Sequence, residues 1–492
     1  MKKRASGIIM HISSLPGKYG IGDFGMGAYR FIDFLADSGQ RYWEILPLGV
    51  TGVGDSPYQC FSAFAGNPYF IDLDELIEEN YLHEKDIEGH KLYRNPHRVS
   101  YDLLYENKMK LLRIAYERSK DHIRGKLRGF MRRNKFWLRD FSLFMSLKDL
   151  NEGASWLEWS DRYKDINSRE VLEFESENED DIYFWVFTQY LFSNQWKRLK
   201  EYAGENDIKI IGDLPIYVSI DSSDVWANRE LFSLDSSFKP ITVSGVPGDE
   251  FAPEGQLWGN PIYDWKAIEE REYSWWIKRI SHSFKLFDTL RIDHFIGFES
   301  YWEVEYGSKN AVKGKWTKGP GIAIFNKIRE KLGDLDIIAE DLGVVTDDVR
   351  KLVKDTGFPG MKVLEFGFDP YEDSEFDLHN HLKNSVVYTG THDLSTAKGW
   401  IERQDLKTST YTREYLNICK DEEFNWAFIR GAWSSPSYLA IAQMQDFLGL
   451  DDSARMNIPG TVGGNWTWRA DPASLNSDLS KKINKLTKLY KR

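Results

Sequence analysis

The amino-acid sequence predicts an α/β protein built on a closed (β/α)8 TIM barrel. Short apolar runs alternate with helix-like segments along the chain, which is typical of a parallel sheet with helices between its strands. Eight such runs are present, and that number favours a closed barrel over an open sheet. Most of the runs end in an acid or an amide, as barrel strands do at their C-terminal face.

The predicted strands follow one another through the whole chain, so we expect a single barrel domain over residues 1–492. The strands are predicted over residues 7–12, 41–46, 208–212, 288–292, 335–339, 361–364, 385–389 and 439–444. Amphipathic patterns predict helices between them, over residues 26–35, 184–202 and 273–286.

Two segments at the C-terminal face exceed what a barrel needs. More than 150 residues separate the second strand from the third, where a barrel needs about 40. We expect a mainly helical insertion over residues 75–183, within which the acidic cluster 173–181 is predicted to be an exposed loop. After the third strand, residues 214–270 are rich in Gly, Pro, Trp and acids, which predicts a loop-rich insertion.

Composition and charge exclude several classes of partner. The chain carries a net charge of -12, which disfavours nucleic acid and acidic membrane surfaces as partners. No run of 18 apolar residues is present, so no membrane span is expected. Only two cysteines occur, Cys60 and Cys419, outside any metal-ligand spacing, and this predicts a cytoplasmic protein without a metal site. The 18 Trp, 25 Tyr and 29 Phe suit a protein that stacks flat ligands such as sugars.

A glycine pattern offers an alternative function. Gly20-Ile-Gly22-Asp-Phe-Gly25 matches the fingerprint of a dinucleotide-binding loop, and Glu44 follows at a suitable distance. However, residues 13–19 separate the first strand from Gly20, and Glu44 does not close its own strand. We therefore expect these glycines to shape a loop at the barrel mouth, with a nucleotide-dependent oxidoreductase as the alternative.

Acids at three predicted strand ends point to glycoside chemistry. Arg291 and Asp293 are two residues apart and share one face of a strand, so the cation should keep the carboxylate ionised as a nucleophile. A protonated Glu340 could serve as the general acid, and Asp393 adds a third carboxylate. The alternative for each acid is a structural ion pair.

A lid and an aromatic contact are also predicted. Residues 245–261 carry Gly and Pro at both ends with Asp249 and Trp258 between them, which suits a lid over a sugar site, the alternative being a surface loop. Tyr58, in Ser56-Pro-Tyr58, is either a stacking platform or a residue that packs in a turn.

The sequence resembles the amylomaltase family, the 4-α-glucanotransferases or disproportionating enzymes related to the α-amylases. The blocks that carry the resemblance are His11-Ile-Ser-Ser-Leu-Pro16, Trp43-Glu-Ile-Leu-Pro-Leu48, Ser56-Pro-Tyr58, Gly212-Asp-Leu-Pro-Ile-Tyr217, Gly255-Gln-Leu-Trp-Gly-Asn-Pro261, Arg291-Ile-Asp-His294, Ala339-Glu-Asp-Leu-Gly343, Thr389-Gly-Thr-His-Asp393, Ala454-Arg-Met-Asn457 and Asn465-Trp-Thr-Trp-Arg469.

The resemblance implies transfer of α-1,4-glucan segments between maltooligosaccharides, with glucose among the acceptors and with no cofactor or metal. It implies Asp293 as the nucleophile, Glu340 as the acid/base and Asp393 as the residue that stabilises the distorted donor sugar. The substrate contacts that it implies are Tyr58, Asp213, Arg291, His294 and His392 on the donor side, and Asp249 and Trp258 in the lid over the acceptor side.

One departure from the family pattern follows the third acid. The family usually continues His-Asp with Asn-Asp-Thr, whereas Asp393 is followed by Leu394, Ser395 and Thr396. Two polar groups are lost there, which puts the acceptor preference in question. The departure suggests a catalytically impaired glucan-binding protein as one alternative. The other is a glucan hydrolase on the same scaffold, in which water rather than a sugar hydroxyl is the acceptor.

Overall fold

Eight parallel strands close into a barrel in this computed structural model, which describes residues 3–248 and 253–492. The barrel strands are β1 (Ala5–Ile9), β2 (Tyr42–Glu44), β3 (Lys209–Pro215), β6 (Thr289–Asp293), β9 (Ile337–Ala339), β10 (Gly360–Val363), β11 (Ser385–Tyr388) and β12 (Leu439–Gln443). Their order around the ring is β1-β12-β11-β10-β9-β6-β3-β2. The predicted barrel is thus confirmed, and each predicted strand overlaps an observed one.

The barrel strands are apolar because both of their faces are buried. Every residue of β1 and of β12 is buried, as expected for parallel strands with side chains inside the barrel and helices outside it. The register places Asp213 of β3 beside Arg291 of β6, and Ile292 of β6 beside Ala339 of β9. The polar residues at the ends of these strands are therefore neighbours at the C-terminal face.

A second, antiparallel sheet has the strand order β5-β4-β7-β8. Its strands are β4 (Thr242–Val246), β5 (Gln256–Pro261), β7 (Ser300–Glu305) and β8 (Gly314–Lys318). The prediction that residues 214–270 are loop-rich was wrong for β4 and β5, and the sequence analysis also missed β7 and β8. Three of these strands contain glycine and most of their residues are not buried, so their sequences lack the apolar runs that predicted the barrel strands.

Eighteen α-helices lie in the described chain, together with short 3-10 and π turns. They are α1 (Met26–Asp37), α2 (Leu73–Glu78), α3 (Glu84–Ile87), α4 (Tyr101–Leu103), α5 (Met109–Arg133), α6 (Leu138–Leu150), α7 (Arg169–Glu177), α8 (Glu179–Glu205), α9 (Ser223–Ala227), α10 (Trp265–Glu270), α11 (Ser274–Leu286), α12 (Ile322–Leu332), α13 (Asp347–Thr356), α14 (Ala397–Arg403), α15 (Leu406–Tyr415), α16 (Phe424–Ser434), α17 (Met444–Phe447) and α18 (Ser477–Leu489). None of the helices in the described residues combines the length and the apolar content needed to cross a membrane.

The acidic cluster 173–181 is helical, so the prediction of an exposed loop was wrong. It spans the end of α7 and the start of α8. Glu179 and Asp180 lie in the first turn of α8, where negative charge is favourable. Arg124 of α5 forms ion pairs with both of these acids. The helix dipole and a distant basic helix therefore stabilise a segment that looked like a solvated loop in the sequence.

The glycine motif before α1 is packed against the chain and leaves no cradle for a phosphate. A Cβ atom at Gly22 would lie 1.9 Å from the carbonyl oxygen of Ile12. The backbone N–H of Gly25 donates to the Asp23 carboxylate at 3.1 Å, and the Asp72 carboxylate lies against the same glycine. Two carboxylates therefore stand where a dinucleotide-binding loop would hold a pyrophosphate, which contradicts the oxidoreductase alternative.

Candidate active site

A buried arginine joins two of the predicted acids. Arg291 Nη1 lies 2.6 Å from Asp213 Oδ2 and 3.0 Å from Asp293 Oδ1. Arg291 and Asp213 are each 4% exposed. Burial opposes the charge of the guanidinium, but the two carboxylates raise the pKa of Arg291 well above its ordinary value. The structure thus fixes a cation between the ends of β3 and β6.

Asp293 is poised to change its protonation near neutral pH. Burial raises the pKa of Asp293 to about 6, Arg291 opposes that rise, and Asp213 and Asp393 add to it. Arg291 lowers the pKa of Asp293 as expected, but burial outweighs the ion pair, so the net pKa is raised. The carboxylate is nevertheless ionised at pH 7.

Glu340 lies directly after β9 and holds a proton more strongly. Its Oε2 accepts from the backbone N–H of His294 at 2.6 Å, and its Oε1 accepts from that of Leu342 at 2.9 Å. Burial raises the pKa of Glu340 to about 8, and the charge of Asp293 contributes to the rise. His294 adopts a left-handed conformation with φ 52°, which turns its N–H toward the carboxyl group. Glu340 is therefore protonated at neutral pH, as a general acid must be.

Asp393, after β11, is held as a carboxylate. Its Oδ1 accepts from Asn457 Nδ2 at 2.6 Å, and its Oδ2 lies 3.2 Å from His392 Nε2. Burial acts to raise the pKa of Asp393, but His392 and Asn457 lower it to about 2. Arg455 Nη2 donates to the backbone carbonyl of Asp393 at 2.5 Å. The position and charge of Asp393 thus depend on the segment 455–457.

Tyr58 connects the third acid to the buried arginine. Its hydroxyl lies 2.7 Å from His392 Nε2 and donates to Asp213 Oδ2 at 2.6 Å. The rings of Tyr58 and His392 are stacked, with centroids 5.2 Å apart and an angle of 17°. Although burial acts in the opposite direction, Asp393 raises the pKa of His392 above its ordinary value. A continuous polar network therefore runs from β11 to β6.

Trp258 of β5 reaches the catalytic strand ends through His294. The two rings meet edge to face at 90° with centroids 4.6 Å apart. Burial lowers the pKa of His294 to about 4, so its imidazole is neutral at pH 7. Gln59 Nε2 donates to Asn260 Oδ1 at 3.1 Å and helps to hold β5 against the loop after β2. Asp249, the other predicted lid residue, lies outside the described residues.

The structure adds polar residues that the sequence analysis did not assign to the site. Asn457 and Arg455 fall within a family block, but no local pattern links them to Asp393. Inside the barrel, Tyr388 donates its hydroxyl to Glu44 Oε2 at 2.9 Å. Burial raises the pKa of Glu44 to about 7, and Arg291 opposes that rise. The alternation of β2, which places Glu44 on a buried position beside Ile211, is the signal that could have indicated an inward carboxyl group.

The unusual turn after Asp393 has no amide or carboxylate side chain of its own at residues 394–396. Leu394 is partly buried and packs against the core. The Ser395 carbonyl accepts from Gln443 Nε2 at 2.9 Å, and Thr396 Oγ1 accepts from the Gly399 N–H at 3.1 Å, which caps α14. The Thr396 N–H donates to Asp452 Oδ1 at 3.0 Å, so side chains of distant residues and the cap of α14 together define this turn.

One group of side chains in residues 3–248 and 253–492 has the spacing of metal ligands: Asp373, Asp377 and His379, between β10 and β11. Asp377 accepts from the backbone N–H groups of Phe368 and Ser374. Asp373 Oδ1 accepts from Asn380 Nδ2 at 2.8 Å. These hydrogen bonds show that the two acids stabilise the conformation of their own loop.

Known proteins are similar to this chain over its whole length. The sequence profile of the 4-alpha-glucanotransferase family matches residues 10–475. The 4-alpha-glucanotransferase of Clostridium butyricum is 50% identical over 485 residues, covering 98% of this chain and 100% of that protein. That of Streptococcus pneumoniae is 48% identical over 497 residues, covering 100% and 98% respectively.

Solved structures agree with the sequence comparison. The amylomaltase from Streptococcus agalactiae, solved in complex with acarbose, has a TM-score of 0.97 and 41% identity, with 100% of both chains covered. The amylomaltase from Corynebacterium glutamicum has a TM-score of 0.80 at 18% identity, which supports the fold alone, and covers 98% of this chain and 75% of that one. Because the profile and the relatives span nearly the entire sequence, this chain belongs to the 4-alpha-glucanotransferase family.

Proposed function

We propose that this 4-alpha-glucanotransferase works by a retaining double displacement with Asp293 as the nucleophile. In the first step, Asp293 bonds to the anomeric carbon of the donor glucan while Glu340 gives its proton to the departing glycosidic oxygen. In the second step, the 4-hydroxyl of an acceptor gives its proton to Glu340 and attacks the same carbon, which frees Asp293. Two inversions at one carbon retain the α configuration.

The observation that carries this proposal is that three acids at neighbouring strand ends have different partners: Asp293 lies 3.0 Å from Arg291, Asp393 bonds to Asn457, and Glu340 accepts from two backbone N–H groups. Burial raises the pKa of Glu340 above 7, whereas Asp293 and Asp393 are ionised at pH 7. A nucleophile must be ionised and a general acid must carry a proton, so the higher pKa of Glu340 agrees with the proposed roles. Asp393, fixed by Asn457, would stabilise the positive charge that develops on the donor sugar.

The remaining side chains would bind the sugars. Tyr58, Asp213, Arg291, His294 and His392 would contact the donor. Trp258 and Asp249 would cover the acceptor side, with glucose among the acceptors. We also propose a cytoplasmic enzyme that needs no cofactor, with a single barrel domain in which residues 75–183 and 214–270 are the insertions.

Incubation with maltotriose tests the function. The wild-type enzyme should produce glucose and a ladder of longer oligomers while the total of reducing ends stays nearly constant. A steady increase in reducing ends, without products longer than the substrate, would instead identify a hydrolase. No cleavage at all would support the impaired glucan-binding alternative.

Asp293→Ala tests the nucleophile. The variant should lose measurable turnover, because no other group is placed to form the covalent intermediate. Azide should then restore cleavage of an activated α-glucosyl donor and give the inverted β-glucosyl azide, which nuclear magnetic resonance would identify. Activity within about tenfold of the wild type would contradict the assignment.

A further inference from the structure

The antiparallel sheet carries aromatic side chains on the face that points away from the catalytic residues. On β5, Leu257 packs with Trp302 in a small apolar cluster, whereas its neighbour Trp258 contacts His294. Successive residues of a strand point to opposite faces. The face that carries Trp302 is therefore the outer face of the sheet whose inner face covers the active site.

A pair of tryptophans forms a rigid surface on this outer face. Trp302 of β7 lies directly opposite Trp316 of β8, and their rings meet edge to face with centroids 5.4 Å apart. Trp302 Nε1 donates to the Ala311 carbonyl at 2.9 Å. A Cβ atom at Gly314 would lie 2.5 Å from the Trp302 ring, so the glycine makes room for that ring to lie across β8. The orientation of Trp302 is thus fixed, and Trp302 in turn supports Trp316.

Trp316 is exposed to an unusual degree for its residue type. It is 43% exposed and is the one exposed tryptophan in the part of the chain that the structure describes. An exposed indole that is held in place by a second ring gains nothing from burial, but it offers a flat apolar surface at little entropic cost on binding.

The polar groups beside the rings indicate a neutral ligand. Lys318, which shares the face of Trp316, bonds to Glu299 and lies 2.9 Å from Asp348 of α13. Lys315, the other lysine adjacent to Trp316, lies 3.1 Å from Glu303. Since acids within the protein already balance these two cations, Lys315 and Lys318 offer hydrogen-bond donors rather than a net charge for a phosphate or a nucleic acid.

We propose that Trp316, supported by Trp302, is a second binding site for α-glucan chains, outside the catalytic cleft. This inference rests on the proposed function, which makes a glucan polymer the substrate. Each glucose unit has an apolar C–H face that would stack on the indole, and hydroxyl groups at its edge that would bond to Lys318 and Glu299. Lys318 contacts Asp348 of α13, and residues 341–346 connect α13 to Glu340. The site therefore lies beside a segment that leads to the active site. It would hold a long chain near the catalytic residues and would be unused by a short oligomer.

Trp316→Ala tests the site, with Tyr371→Ala as the matched control, since Tyr371 is an aromatic residue that is 71% exposed elsewhere on the molecule. The rate of maltotriose disproportionation should stay unchanged in both variants. Electrophoresis through gels that contain glycogen should show about three- to tenfold weaker retardation for Trp316→Ala only, and the KM for amylopectin should rise by a similar factor. Trp316→Phe should lie between this variant and the wild type.

Trp316→Thr, which keeps a residue suited to an edge strand, replaces the alanine variant if the latter unfolds. If the folded Ala or Thr variant shows the same retardation by glycogen and the same KM for amylopectin as the wild type, the proposal of a glucan site at Trp316 is refuted. A wild-type dimer that becomes monomeric on substitution, seen by sedimentation velocity, would overturn it in favour of contact between two copies. A wild-type enzyme that fails to extend maltotriose would refute the proposed function, whereas the gel assay would still report on glycogen binding at Trp316.

Discussion

Glu340, which is buried, and Asp393, which is half-buried, reach opposite protonation states at one barrel mouth. Both lose water, which favours the neutral acid. Burial and the negative charge of Asp293 raise the pKa of Glu340, and they outweigh Arg291 and the two backbone N–H groups, which favour the carboxylate. Asp393 faces His392 and the amide of Asn457, which outweigh burial. The neighbouring side chains, rather than depth alone, assign the chemical roles.

Glu340→Gln should lower turnover of maltooligosaccharides by about 10²- to 10⁴-fold, the range for loss of a general acid. The loss should be smaller with a glucosyl fluoride donor, whose leaving group needs no proton. Since the raised pKa leaves Glu340 protonated below about 8, the wild-type rate should fall as the pH rises through that value. The variant should lack this alkaline limb, and an equal loss on both donors would refute the acid role.

Leu394→Asn should change the kinetics of the acceptor more than those of donor cleavage. Leu394 adjoins Asp393 in the chain and packs against the core, so an amide there would offer a new hydrogen bond without touching the reacting carbon. We expect the KM for glucose as acceptor to change by about threefold, which corresponds to one modest hydrogen bond. Leu406→Asn, at an 84% exposed leucine, is the control. Unchanged acceptor kinetics would show that the replacement of the usual Asn by Leu394 has no effect on the acceptor.

At the scale of elements, the alternation of side chains along β5 places an active-site contact on one face of the antiparallel sheet and an apolar cluster on the other. Trp258 contacts His294 on one face, whereas Leu257 packs in the apolar cluster on the other. A covalent glycosyl-enzyme is attacked by whichever nucleophile reaches it, so transfer requires an acceptor side that binds sugar and limits water. We therefore expect the indole of Trp258 to favour transfer over hydrolysis.

Trp258→Ala should slow transfer from maltotriose and increase the share of donor lost to hydrolysis by about threefold or more, because water gains access to the intermediate. The ratio of reducing ends formed to glucose released measures that share. Leu257→Ala, on the opposite face of the same strand, is the matched control and should leave the ratio unchanged. A ratio that stays at the wild-type value in Trp258→Ala would exclude the indole as a barrier to water.

At the scale of the whole molecule, two arginines close the N-terminal end of the barrel. Arg492 donates to the carbonyls of Ser435 at 2.8 Å and Ala5 at 3.1 Å, so one side chain joins the end of α16 to β1. Arg4 donates to the Ser435 carbonyl at 2.7 Å. Cations at a helix C-terminus are favourable, and here they also connect the first and last parts of the described chain.

Arg492→Ala should lower the free energy of unfolding by on the order of 2 kcal/mol, since several buried carbonyl groups would lose a charged donor. Denaturation by guanidinium chloride, followed by tryptophan fluorescence, measures the change. Lys488→Ala, at an exposed position of α18, should have no such effect. Equal midpoints for the two variants would show that Arg492 does not contribute to barrel closure.

The sequence by itself determined the barrel and its principal acids. Buried parallel strands are mostly apolar, and most runs end in polar residues where the strand emerges at the mouth, so the alternation of apolar runs with helices revealed all eight strands. Asp293 and Glu340 were predictable for the same reason, because each stands at or just after the end of a barrel strand.

Only the tertiary structure decided how those acids are protonated and what supports them. Asn457 bonds to Asp393 from a segment without strand periodicity, and no local pattern encodes a contact between residues so distant in the chain. The net pKa of Asp293 likewise depends on how burial balances Arg291, a competition that residue spacing does not express. The second sheet was missed because its short, half-exposed strands are stabilised by pairing with distant segments. Local sequence specifies which faces are apolar, whereas long-range contacts specify which polar groups meet and in what protonation state.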